Sequence, residues 1–146
     1  MIAYLDASAL LKLFLDEPGS DRVRELWDSE LAVAASELAV VELACALAAA
    51  VRARRLAASA LGRPVIDGTF LMHRAELVAV GGDVVRSASL LGARHGLRAL
   101  DAVHVASALV LREAAPTLVS FDRDQRRAAV REGLPVYPEG RTAALR

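Results

Sequence analysis

Apolar positions along the chain change their spacing in a regular way, and the changes predict strands and helices in alternation. Ile2-Ala3-Tyr4-Leu5 is a short apolar run closed by Asp6, which reads as a strand, and Leu10, Leu11, Phe14 and Leu15 follow at helical spacing. Pro18-Gly19-Ser20 breaks that helix, and Ser20 or Asp21 can cap a second one carrying Val23, Leu26 and Trp27. Leu31 to Ala34 reads as a second buried strand, after which Ser36 caps a long helix running to about Arg55. Its arginine-rich end suits the negative pole of a helix. Leu56 to Leu71 has no clear period beyond a turn at Gly62-Arg63-Pro64, and Leu77 to Val80 is expected as a third strand. Gly81-Gly82-Asp83 opens a helix through Leu91 that Gly96 ends, and Asp101 lies at the first turn of the next, Ala102 to Arg112. Pro116 stops that helix. Thr117 to Phe121 is then a fourth strand closed by Asp122, Asp124 caps a short helix, and Leu134 to Tyr137 forms a last strand.

Strand and helix in this order predict an α/β fold of three layers, with a central parallel sheet of four to five strands and helices on both faces. Ligands of such sheets sit beyond the C-terminal strand ends. The whole span 1–146 is expected as a single domain, since the chain has domain size and no linker, repeat or low-complexity segment.

Composition narrows the function classes. Hydrophobic residues make up 55% and charged residues 25%, which favours a packed globule over a disordered chain. Eighteen basic and eighteen acidic residues cancel, so any affinity for nucleic acid must be local. Cys45, the one cysteine, lies in an apolar helical pattern, where it is expected as a small core residue of a protein from a reducing compartment. No basic-then-apolar leader precedes the first strand, and the apolar runs stop well short of the ~18 residues that would span a bilayer. A cytoplasmic location without a membrane span is the expectation.

The chemistry lies in the acids. Asp6 and Asp122 each end a strand, so both carboxylates project from one edge of a parallel sheet. Glu42 is flanked by Val40, Val41, Leu43 and Ala44, and Asp101 shares a helix face with Val105 and Ala108. Carboxylates among apolar neighbours require a compensating charge, and several together would repel unless a divalent cation joined them. Hard cations such as Mg²⁺ take oxygen ligands and suit phosphate substrates. No Cys and His cluster at zinc spacing competes. Simpler roles stand beside this one: Asp6 with Ser8, Asp101 and Asp122 could cap helices or form turns, and Glu42 could pair with a buried base. His104, one turn after Asp101, reads as structural, and Arg123, Arg126 and Arg127 could meet RNA phosphates or form a solvated face. Position 8 is Ser, against an aspartyl-phosphate enzyme, and no Gly-rich loop with Lys-Ser or Lys-Thr supports a P-loop.

Four segments together resemble a family, the PIN-domain ribonucleases, and within it the VapC-type toxins of bacterial toxin–antitoxin pairs. Tyr4-Leu5-Asp6-Ala7-Ser8-Ala9-Leu10-Leu11-Lys12-Leu13 is similar to the family's opening strand and helix. Ser36 with Glu42 resembles the second motif, Gly96-Leu97-Arg98-Ala99-Leu100-Asp101-Ala102-Val103-His104-Val105-Ala106 the third, and Ser120-Phe121-Asp122-Arg123-Asp124 the last. The resemblance implies a PIN-like fold and an endoribonuclease that uses Mg²⁺ or Mn²⁺ held by Asp6, Glu42, Asp101 and Asp122, with Ser8, Ser36, Ser120 and Asp124 in support. It further implies a homodimer and inhibition by a cognate VapB-type antitoxin. Ala7 stands where many relatives carry threonine, and Leu56 to Met72 follows the family pattern loosely. A PIN-type enzyme of RNA maturation and a non-catalytic PIN-like regulatory module are the alternatives.

Overall fold

A computed structural model of the chain describes residues 2–139. Strands β1 (Ile2–Leu5), β2 (Ala32–Ser36), β3 (Ala75–Val78), β4 (Pro116–Val119) and β5 (Val136–Tyr137) make one five-stranded sheet in the order β3-β2-β1-β4-β5. Every pairing is parallel. Helices α1 (Ala7–Leu11) and α2 (Ser20–Asp28) link β1 to β2, and α3 (Leu38–Arg52), α4 (Arg63–Ile66) and α5 (Thr69–Met72) link β2 to β3. Helices α6 (Gly82–His95) and α7 (Ala99–Val110) carry the chain back to β4, and α8 (Arg123–Arg131) precedes β5.

The chain thus builds outward from β1 to β3, then returns to add β4 on the other side of β1. Because parallel crossovers are right-handed, the reversal sends the later helices to the opposite face. Strand residues divide accordingly. Ile2, Tyr4, Ala34, Val78 and Leu118 pack with residues of α6, α7 and α8, while Ala3, Leu5, Val33, Ala35, Ala75 and Val119 pack with α1 to α5. Side chains alternate across a strand, so a sheet covered on both faces needs the near-continuous apolar runs seen here. The reversal also opens a crevice between the C-terminal ends of β1 and β4, the place where open α/β sheets bind ligands. No helix among the described residues is long and apolar enough to cross a membrane.

The predicted α/β layering and five strands are present, with shifts at several ends. Ser36 closes β2 instead of capping α3: Glu37 occupies the N-cap position in helical conformation, and Ser36 Oγ accepts from Leu38 N at 3.2 Å in a local turn. Helix α3 ends at Arg52 and not near Arg55, since Arg54 adopts a φ of 57° that no helix continues. Strand β3 lies earlier than Leu77 to Val80. Glu37 is the reason, because its backbone N–H bonds Val78 O at 3.0 Å and its carboxylate accepts from Val80 N at 2.9 Å, which draws the chain out of the ladder. Asp122, not Asp124, caps α8. Cys45 is exposed on α3 instead of buried in the core. The indistinct stretch from Leu56 to Leu71 folds as a 3₁₀ turn, Ala58–Leu61, followed by α4 and the start of α5.

One turn ties this architecture to the crevice. Gly19, ahead of α2, has φ +92°, and a Cβ there would fall 2.6 Å from Cε1 of Phe121, the residue before Asp122. The Phe121 ring is held from its other neighbour, with the Lys12 ammonium 4.3 Å from its centroid and itself 3.1 Å from Glu17 Oε2. Gly19→Ala combines left-handed strain with this collision, and we expect it to cost about 1–3 kcal/mol of stability in urea unfolding. A midpoint unchanged from wild type would show that the loop relaxes freely and that the close approach is not required.

Candidate active site

Asp6 follows β1 directly and is the N-cap of α1: its extended backbone (φ −80°, ψ 176°) lets Oδ1 accept from Ala9 N at 2.8 Å. Ser8 Oγ donates to the same carboxylate at 2.7 Å from Oδ1 and 2.9 Å from Oδ2, and Ser120 Oγ donates to Oδ2 at 2.7 Å. Each hydroxyl also accepts from the β4 loop, Ser8 Oγ from Phe121 N at 2.9 Å and Ser120 Oγ from Asp122 N at 3.1 Å. The two serines therefore bind the ends of β1 and β4 together through one carboxylate. Asp6 is only 2% exposed. Burial raises its pKa above the ordinary carboxylate value, against the opposing pull of His104 and of the Ser120, Ser8 and Ala9 donors.

Glu42 reaches the same edge from α3, and its Oε2 lies 2.6 Å from His104 Nε2. The other ring nitrogen, Nδ1, is 3.1 Å from Tyr4 Oη. Small buried residues of α7, namely Ala102, Ala106 and Ala108, line this helix where it packs on the sheet, and His104 itself is 2% exposed. Burial also pushes the Tyr4 phenol up, so it stays a neutral hydroxyl. A carboxylate oxygen accepts, so His104 Nε2 is placed to donate to Glu42, while Nδ1 faces the Tyr4 hydroxyl. This chain of three holds the Glu42 carboxylate in one orientation.

Asp101 and Asp122 are joined by Arg98, the N-cap residue of α7. Arg98 Nε donates to Asp101 Oδ2 at 2.9 Å, and Arg98 Nη2 lies 3.5 Å from Asp122 Oδ2. Gln125 Nε2 donates to Asp101 Oδ1 at 3.2 Å, and its Oε1 is buried without a hydrogen-bond partner among the described residues. Asp122 is the N-cap of α8, where Oδ1 accepts from the amides of Asp124 and Gln125, both at 2.9 Å. Asp124 pairs with Arg127 at 2.8 Å, and Arg126 is tied to Ser120 O at 2.8 Å.

The sequence-derived acids therefore lie in linked groups around the crevice. Asp6 connects to Asp122 through Ser120, Asp122 to Asp101 through Arg98, and Glu42 to Tyr4 through His104; both Asp6 and Glu42 act electrostatically on Tyr4. Ser8 and Ser120 stand on Asp6, whereas the Ser36 hydroxyl accepts from Leu38 N in its own turn. Among the described residues no three Asp, Glu, His or Cys side chains converge closely enough to cage a metal ion alone. Mg²⁺ does not need such a cage, since it commonly keeps several waters and takes one or two carboxylates along with substrate phosphate. The oxygen-only donor set at the crevice fits that kind of ion. Arg98 was detectable as the residue three before Asp101, on the same side of a helix start. Gln125 carried no signal, because its contact crosses between two helices.

Residues 3–131 match the model of the PIN domain. The chain is 36% identical over 137 residues to Ribonuclease VapC49 of Mycobacterium tuberculosis (strain ATCC 25618 / H37Rv), covering 94% of this chain and 95% of that protein. It is 33% identical over 142 residues to Ribonuclease VapC35 of the same strain, covering 94% and 96%. In structure it is similar to VapBC2 from Rickettsia felis bound to a DNA fragment from their promoter, with TM-score 0.64 and 15% identity over 93% of this chain and 97% of that one. FitAcB from Neisseria gonorrhoeae gives TM-score 0.56 and 23% identity over 93% and 96%. These two likenesses speak for the fold alone. The family match begins in β1, takes in the carboxylates that follow β1 and β4, and ends at the last residue of α8: the chain belongs to the PIN-domain family.

Proposed function

We propose that this protein is a divalent-metal-dependent endoribonuclease, working with Mg²⁺ or Mn²⁺, and that it acts as the toxin of a toxin–antitoxin pair. The observation that carries the reading is the buried Asp6 carboxylate at the switch point, bracketed by two hydroxyls and lacking, among the described residues, a basic side chain as hydrogen-bond donor. Such a group is held for a cation. Sequence identity of 36% to a protein named Ribonuclease VapC49 supports RNA as the substrate. Likeness to a toxin–antitoxin complex from Klebsiella pneumoniae, at TM-score 0.59, is consistent with a VapB-type antitoxin as partner.

Asp6, Glu42, Asp101 and Asp122 are the residues that would hold the ion. When bound, the ion supplies Lewis-acid charge at the scissile phosphate and makes water a stronger nucleophile at neutral pH. The protein's part is orientation. Ser8 and Ser120 fix both Asp6 oxygens, the α8 amides fix Asp122, Gln125 fixes Asp101, and His104 holds Glu42 in its orientation. These hydrogen bonds are in place before RNA arrives, which lowers the reorganisation needed of the carboxylates themselves.

Purified protein incubated with total RNA and a tRNA panel, with Mg²⁺, with Mn²⁺ and with chelator, is expected to release discrete fragments only when the metal is present. Asp6→Asn and Glu42→Gln are expected to reduce cleavage to background. Wild-type protein that is folded, takes up metal and cuts nothing would refute the nuclease and leave a binding module. Substitution of His104 by Gln, which removes the hydrogen bond that orients Glu42, should cost about 10–100-fold in activity or metal affinity; activity equal to wild type would mean that Glu42 is oriented without it.

Stability against pH tests the state of Asp6 by itself. Its folded pKa lies above the unfolded value of about 3.9, so the folded protein binds this proton more tightly than the unfolded chain. The associated stability is complete below the unfolded pKa and is lost as pH rises through the folded one. In chelator, the Tm difference of Asp6→Asn over wild type should therefore grow as the pH rises above about 4. A difference that is flat, or that shrinks with rising pH, would contradict the buried, uncompensated carboxylate.

A further inference from the structure

We propose that Arg98 is a positioning residue of the acidic crevice, an internal cation that competes with the divalent ion for Asp101 and Asp122 and, once displaced, contacts a phosphate of the RNA. This rests on the nuclease reading above and deepens it.

The argument starts from which carboxylate oxygens remain free. Asp101 Oδ1 is taken by Gln125 Nε2, and Asp122 Oδ1 by the two amides that it caps. These bonds belong to the fold, since they join α7 to α8 and close the first turn of α8. The oxygens of these two acids that no bond of the fold occupies are the two Oδ2 atoms, and those are the atoms that Arg98 engages, at 2.9 Å and 3.5 Å. A guanidinium presents donors in a fixed planar fork, so one side chain can serve both acids. A divalent ion drawn to the same pair would meet the arginine first.

Burial sets how easily the exchange runs. The Arg98 side chain is 81% exposed, while those of Asp101 and Asp122 are 17% and 30% exposed, so the acids lie inside and the guanidinium lies over them from the solvent side. Ion pairs in such a position are weak and readily exchanged. The backbone of Arg98 is nevertheless fixed, because it is the N-cap of α7 and its carbonyl accepts from Ala102 N at 3.0 Å; its side chain plays no part in that cap. A fixed anchor with a long free arm is suited to turning between two anionic partners. Displaced from the acids, the guanidinium stays at the mouth of the crevice, where the phosphates of a bound strand would pass. A purely structural ion pair between α7 and α8 would give the same distances, and the experiment separates the two.

The test compares wild type, Arg98→Gln and Arg98→Lys, with folding checked by circular dichroism and thermal melting. Titration calorimetry with Mn²⁺ alone should show Arg98→Gln binding the metal roughly 2–5-fold more tightly, the size of effect expected from loss of one exposed competing cation. Arg98→Lys should fall between. At saturating Mn²⁺, Arg98→Gln should raise KM for RNA with little change in kcat, and should lower the steepness of the salt dependence by about one phosphate contact. Mn²⁺ affinity that is unchanged or weakened, together with a lowered Tm, would overturn the proposal in favour of a structural pair; an unchanged KM and salt dependence would remove the phosphate contact. If wild type takes up no Mn²⁺ and cuts no RNA, the nuclease reading fails and this inference with it. If wild type does both and Arg98→Gln matches it throughout, this inference alone fails.

Discussion

The structure depends on one buried carboxylate that fastens two strand ends together. Asp6 caps the helix after β1 while receiving hydroxyl hydrogens from Ser8 and Ser120, and those hydroxyls in turn hold the amides of Phe121 and Asp122 after β4. β1 and β4 are neighbours in the sheet but 110 or more positions apart in the chain by their numbering, so their ends meet only when the whole sheet is assembled. A polar network with its centre, Asp6 and Ser120, buried is costly if half-made, which favours a single arrangement of the crevice. The geometry that a cation would need is thereby produced by the folding of the domain itself.

Around that bracket the remaining acids are held by neighbours of graded exposure. His104 and Tyr4 fix Glu42 from the core side, Gln125 fixes Asp101 from the side of α8, and Arg98 lies outermost. Rigid partners lie inside and an exchangeable one outside. An acidic crevice arranged in this way keeps its shape when its solvent-side counterion changes.

Much of this was readable from residue order, for a physical reason. Strands covered on both faces must be apolar throughout, so the first charged residue after each run, Asp6 directly after β1 and Asp122 in the loop after β4, marks one and the same edge of the sheet. Helix and strand boundaries that depend on contacts made elsewhere were not readable. Ser36 has the chemistry of a cap, but Glu37 is drawn into helical conformation by its bonds to Val78 and Val80, and the same bonds end β3 early. Cys45 sits within apolar sequence yet on the exposed face of α3, because a helix rich in alanine gives weak directional contrast between its faces. Arg98 and His104 show the same limit from the other side. Each lies within a few positions of Asp101, but each acquires its role from a partner on another element, Asp122 for the arginine and Glu42 for the histidine.

Lys12 is the chain's sole lysine, and it lies almost wholly buried between Glu17 and the Phe121 ring. Every other basic side chain apart from the histidines is an arginine, whose charge does not titrate at any physiological pH. The positive charge that this surface offers to a polyanion is consequently permanent: acylation of lysine amines, the common covalent route to lowering it, finds no exposed side chain to act on.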